Sequence, residues 1–391
     1  MASPRLSASG SVSLLAALLL NGCSDRTSAA TEADLASALA SAGTSSKVVF
    51  VDFGAEWCGP CKRLALTTLA DPGVDEWLRK HAIFLRVDID QSPALAKEFR
   101  VDSVPTMLFL RPDRTELGRI TGYVDAAKFL RDAEDRLRGI SSLDQARKAA
   151  AEAPNDCMKQ FELMQEARRA SQYDDALAAA AVYWRKSRTD MAQAGVRLSF
   201  FVSEMARLAD AHAPAQARGQ EWMAAARDQL VAGKNLTQAA NELAALAREL
   251  HQPLAVLDAA DALTAKGDEA RRALRALAAA ATKELVADRR YALVVDGGAC
   301  EPKAVKGRLA MMRGMASRTG AKNPESESNL RRFAAEEALP AFEALIGVGR
   351  IDDALAIAEV ALADADRDLR ELFGSAARRA GHAELVDRLP R

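Results

Sequence analysis

Cys58 and Cys61 stand with only Gly59 and Pro60 between them, at the point where one residue pattern ends and another begins. Residues 47–53 form a β-branched and aromatic run, the signature of a buried strand. From Gly59 to about Leu69 the apolar residues recur as they do on a helix. A chain that passes from buried strand to helix across so short a link has little choice of local geometry. Gly59 permits the tight turn, and Pro60 suits a first helical turn, where its missing N–H would have had no partner. Unpaired backbone N–H groups and the macrodipole at such an N-terminus stabilise an anion. A free thiol with a pKa of about 8.5 is mostly protonated at neutral pH, so this position favours a reactive thiolate. Half of a zinc site would use the same pair, but no second CxxC or CxxH follows. The expectation is redox chemistry.

The surrounding pattern supplies a small domain. Thr31-Glu32-Ala33-Asp34 reads as a capping box opening a helix that runs to about Ala40. Asp71-Pro72-Gly73 breaks the helix after the cysteines. Residues 74–81 then predict another helix, 83–88 a strand and 93–100 a helix. Residues 106–110 and 116–121 predict a hairpin around Pro112-Asp113, and 126–137 a closing helix. The order β-α-β-α-β-β-α suits a small sheet with helices on both faces.

The residues themselves carry a family resemblance. Val51-Asp52-Phe53-Gly54-Ala55-Glu56-Trp57-Cys58-Gly59-Pro60-Cys61-Lys62 resembles the active-site stretch of thioredoxins. Val87-Asp88-Ile89-Asp90 and Val104-Pro105-Thr106 fall where that family has its third strand and its cis-proline loop. The likeness covers about residues 31–138. The stretch Thr67-Thr68-Leu69-Ala70-Asp71-Pro72-Gly73-Val74 is also similar to the periplasmic C-terminal domain of transmembrane thiol:disulfide interchange proteins. The resemblance implies a thioredoxin-like α/β fold in which Cys58 is the nucleophile and Cys61, one turn on, the resolving thiol. It implies that Asp52 accepts and returns the proton of Cys61, and an unpaired carboxylate in an apolar run should have a raised pKa. It further implies a cis Pro105 that frees the Val104 backbone to pair with a substrate strand, and Trp57 on the rim. Gly54 stands where thioredoxins commonly have an aromatic residue, which implies a more open floor. No cofactor and no metal are expected.

The first thirty residues read as an address. Arg5 and the free amine precede a short apolar run from Ser11 to Leu20, too short for a bilayer span of about 20 residues. Leu20-Asn21-Gly22-Cys23 resembles a bacterial lipobox, with Cys23 as the acylated residue. Ordinary cleavage after Ser28-Ala29-Ala30 is the alternative. Both readings export the chain, and the expected place is the periplasm of a bacterial cell envelope, with a lipid anchor at Cys23. The division is a signal peptide over 1–22, a tether over 23–30, the thioredoxin-like domain over 31–140 and a helical domain over 141–391.

Past residue 140 alanine, leucine, arginine and glutamate dominate in amphipathic periods, with one brief β-like run at 291–295. Helices are expected over 143–153, 159–170, 173–185, 192–211, 220–231, 236–250 and 254–266. Further ones are expected over 269–287, 304–316, 329–346, 352–363 and 367–380. Tyr173-Asp174-Asp175-Ala176-Leu177-Ala178 is echoed by Ile351-Asp352-Asp353-Ala354-Leu355-Ala356, which resembles the first helix of tetratricopeptide repeats. The expectation is an all-α helical array that selects protein partners, or a bundle acting as spacer. With Cys58 and Cys61 paired, Cys157 and Cys300 are left either joined in a disulfide or as two buried thiols.

Function classes narrow accordingly. A formal net charge of -1 over 391 residues shows no general attraction to nucleic acid. His81, His212, His251 and His382 form no HExxH pair, and there is no phosphate-binding GxxxxGK[ST] loop or GxSxG elbow. The expected activity is an exported protein-disulfide reductase, recharged by a transmembrane thiol electron donor and touching the membrane only through its anchor. The alternatives are a helical scaffold or holdase with a subordinate redox domain, and a disulfide oxidase or isomerase.

Overall fold

Seven consecutive buried residues, Val48–Gly54, form strand β1 at the centre of a sheet. A strand covered on both faces reads as an unbroken apolar run, which is why the segment stood out. In the computed structural model, which describes residues 30–320, 324–363 and 365–390, β1 runs parallel to β2 (Ala82–Asp88). On its other side it runs antiparallel to β3 (Thr106–Leu110), which pairs antiparallel with β4 (Glu116–Thr121). The order across the sheet is β2-β1-β3-β4. The signal segment and Cys23, with nearly all of the tether, lie outside the described residues.

A parallel pair needs a crossover, and α2 (Gly59–Thr67) with α3 (Pro72–His81) supplies it. Helix α1 (Glu32–Ser45), α4 (Pro93–Glu98) and α5 (Ala126–Leu137) complete the layers. Because side chains alternate along a strand, β1 feeds two cores. Phe50 faces Leu64, Trp77, Phe109 and Phe129, with Phe50 and Phe109 rings 5.2 Å apart. Val49, Val51 and Phe53 face Leu35 and Leu39 of α1 and Leu95 of α4.

Several boundaries move for local reasons. Helix α1 passes Ala40 because the Ser41 and Ser45 hydroxyls donate back to Ser37 and Ser41 carbonyls, and Ser46 closes it in the left-handed conformation. The expected capping box is present, with Thr31 and Asp34 bonded both ways. Helix α3 begins at Pro72, not Val74: Asp71 caps it by accepting the Gly73 and Val74 N–H groups.

The first compact unit ends at Ala153, past the boundary placed at residue 140, because it takes in α6 (Ser142–Glu152). The Ser142 hydroxyl accepts the Arg119 N–H at 3.2 Å and donates to the Arg119 carbonyl at 2.9 Å. Gln145 accepts from the buried Arg136 at 2.7 Å.

The second unit, from Pro154, is helical throughout its described residues. It opens with α7 (Cys157–Arg169) and α8 (Tyr173–Lys186), joined through Phe161 and Tyr183. The two copies of the short repeat open α8 and the helix Ile351–Ala361. The β-like run at 291–295 is instead the helix Tyr291–Asp296: Tyr291 donates to Glu343 and packs against Gly347, overriding a short local preference. The helix expected over 192–211 is present and unbroken from a first 3-10 turn at Met191–Gln193, but it carries a π segment, Arg197–Phe201, before Val202–Ala211. Arg197 is drawn inward there, stacked 3.4 Å over the Trp184 ring and bonded to Glu242. The helix expected over 269–287 breaks at Ala281. Among the described residues no helix is long and apolar enough to cross a membrane.

Candidate active site

The end of β1 delivers Cys58 to the N-cap of α2, in extended conformation, and Cys61 to the first turn. The two sulfurs form a disulfide with an S–S length of 2.02 Å. Cys58 Sγ also accepts the Cys61 N–H at 3.1 Å, a capping bond of the kind serine or threonine oxygens usually make. The predicted helix N-terminus is therefore where the sulfur is held. Both cysteines are buried in this oxidised form, against Ala55, Ile89 and Val104.

Asp52 lies on β1, 1% exposed, and neither carboxylate oxygen has a hydrogen-bond partner among the described residues. Burial pushes its carboxyl above the ordinary carboxylate range, opposed by the Arg86 guanidinium, whose Nε is 3.6 Å from Oδ2. Parallel pairing puts Asp52 directly beside Arg86 of β2.

Gly54 is buried, and a Cβ there would lie 3.6 Å from Cys61 Sγ and 3.9 Å from Arg86 Nη2. Arg86 thus links the surroundings of Cys61 to Asp52.

Val104–Pro105 is the cis peptide of the described chain. The Pro105 carbonyl accepts from Gly122 at 2.8 Å, whereas the Val104 backbone makes no hydrogen bond among the described residues. Trp57 is 58% exposed, and its indole N–H donates to Asp90 at 2.8 Å. The fold thus brings Cys58, Cys61 and Val104 into contact, sets Trp57 beside them in sequence, and keeps Asp52 on β1, the strand that leads into them.

Two participants escaped the sequence reading. Arg86 passed as one more strand residue, although an arginine between Leu85 and Val87 was a signal, and Asp90 was noticed only as part of a motif. Cys157 and Cys300 are both buried free thiols, so no disulfide joins them. Burial pushes the Cys300 thiol up to about 12 and raises that of Cys157 as well.

Residues 35–135 match a family model described as a thioredoxin-like domain. A thioredoxin of Mycolicibacterium smegmatis is 40% identical over 93 residues, which are 24% of this chain and 81% of that protein. A thioredoxin of Chlamydia trachomatis is 41% identical over 80 residues, 20% of this chain and 74% of that protein. Among solved structures, the oxidised DsbD C-terminal domain of Neisseria meningitidis is 29% identical; the match covers 27% of this chain and 93% of that one, with a TM-score of 0.24. Through the unit that closes a disulfide between Cys58 and Cys61, this chain belongs to the thioredoxin family of thiol–disulfide oxidoreductases.

Proposed function

We propose that the chain is an exported reductase of protein disulfides. In its reduced form the Cys58 thiolate attacks a substrate disulfide, forming a mixed disulfide and releasing one substrate thiolate. Asp52 takes the Cys61 proton, and the Cys61 thiolate attacks Cys58 Sγ. That step releases the second substrate thiolate and closes the disulfide described above, so two electrons pass to the substrate. The proton returns from Asp52 through the site to the leaving thiolate. A substrate strand lies along Val104 and Pro105, with Trp57 at its edge.

One observation carries the direction of transfer. The partner of the Cys58 sulfur among the described residues is a single backbone N–H, that of Cys61. A strongly oxidising pair is one whose reduced thiolate is heavily stabilised. In the closed disulfide that sulfur has this one neutral donor, and we read the pair as a reductant. The Gly59-Pro60 link supports the same reading. Lipidation at Cys23, a periplasmic position and recharging by a transmembrane thiol donor complete the proposal.

The deciding measurement is the reduction potential of Cys58–Cys61 in glutathione or dithiothreitol buffers. A value near about −270 mV, that of thioredoxin, is expected. A value of about −180 to −120 mV, the range of isomerase and oxidant, would overturn the reductase. Cys58→Ser is expected to abolish disulfide turnover. Mass analysis of the protein made in a bacterial host, with an acylated Cys23 as the expected N-terminus, tests the anchor.

A further inference from the structure

The helical unit holds a cavity of about 600 Å³, within the size range of ligand sites. Its apolar wall comes from Val305, Leu309 and Met312 of the helix Pro302–Gly320, and from Ala334, Ala338 and Ala341 of the helix Pro324–Gly347. Pro340 also lines it from inside that second helix, where its ring has no N–H to give the Glu336 carbonyl.

The charged lining is unbalanced. Arg248, Lys283 and Arg308 face a single lining carboxylate, Glu337. Arg248 is engaged by Glu284 at 2.8 Å and Lys283 by Glu337 at 2.6 Å. Arg308 is exposed and makes neither a hydrogen bond nor an ion pair among the described residues. A cation beside an apolar wall favours an occupant that brings a carboxylate.

Apolar surface also extends beyond the cavity. Phe333 on its edge is 50% exposed, Leu330 one turn earlier 37%, and Met315 one turn past Met312 43%. A small molecule confined to the cavity would leave these in water. A peptide segment is long enough to cover them.

We propose that this cavity and the apolar strip leading into it bind an amphipathic acidic peptide segment of a partner protein. Its apolar side chains enter the cavity and its carboxylates meet Arg308 and the neighbouring cations. The site lies in the helical unit and holds whichever way the cysteine pair transfers electrons.

Fluorescence anisotropy on the full chain tests it, with a labelled leucine–glutamate helix of about 15 residues, the length at which isolated helices become marginally stable. This probe is expected to bind, and a leucine–lysine helix of the same pattern is not. Arg308→Glu should weaken binding about tenfold or more, and Phe333→Ser likewise; both residues are exposed, and thermal melts should match the parent chain. Equal binding of the two helices, or affinity unchanged in both variants, would overturn the proposal. So would saturable binding of free decanoate without binding of the leucine–glutamate helix, which would mark a small-anion site. Self-association of the chain that Phe333→Ser abolishes would assign the strip to a second copy and also overturn it.

Discussion

Burial holds the Asp52 carboxyl in favour of its protonated form, and Arg86 at 3.6 Å pulls the other way. If Asp52 serves Cys61 as base, the resolving step rises with pH along an acid limb that lies above the ordinary carboxylate range. Asp52→Asn should remove that limb and slow turnover, as single-turnover rates across pH would show. The stability consequence has a fixed sign. With a raised folded-state pKa the native protein holds the proton more tightly than the unfolded chain, so stability falls as pH rises through that pKa. Asp52→Asn should therefore melt higher than the parent at pH 8 and about equally at pH 4. Each kcal/mol recovered is worth roughly 4 °C for a domain of this size. Replacing Arg86 by Met withdraws the opposing charge, and the limb should move further up. Equal profiles for the parent and Arg86→Met would remove Arg86 from the site.

At the level of elements, Asp71 and Gly347 give contrasting predictions. Asp71→Ala removes two N-cap hydrogen bonds from α3 and should cost about 1 kcal/mol in denaturant melts. Gly347→Ala puts a methyl 2.0 Å from the Tyr291 ring and should cost about 1–3 kcal/mol, with loss of helix signal first in the helical unit. Asp71 also shows how the sequence misleads. Asp-Pro-Gly signals a break between helices, and the same three residues are the start of the next one. The strands 106–110 and 116–121 were legible to the residue because the Pro112-Asp113 turn stands between an apolar run and the segment that returns from it. The Cys58 cap was legible because a proline sits one residue inside. The pairing of Asp52 with Arg86 was not, since it depends on the register of two strands far apart in the chain. Nor was the π segment at Arg197–Phe201, which depends on Glu242 lying in a later helix.

For the whole molecule, the division at Ala153 separates a redox unit from a helical one, and α6 belongs to the former. Arg136, 2% exposed, is bonded to Ile140 and Gln145, and Ser142 is bonded to Arg119 at both backbone groups. A chain ended after Ala153 should keep the parent's disulfide turnover. One ended after Ile140 loses the Ser142 and Gln145 bonds and should melt lower by roughly 2–4 kcal/mol, at about 1 kcal/mol per bond. Equal midpoints for the two would place the boundary back at residue 140. The two remaining thiols of the described chain, Cys157 and Cys300, are buried, and with raised pKa values they carry almost no thiolate at neutral pH. Neither can compete with Cys61 for a trapped substrate, and neither offers an oxidant a second target. Electrons entering the described part of the molecule therefore have one address, so an alkylation count on the unfolded chain should rise by two when that pair opens.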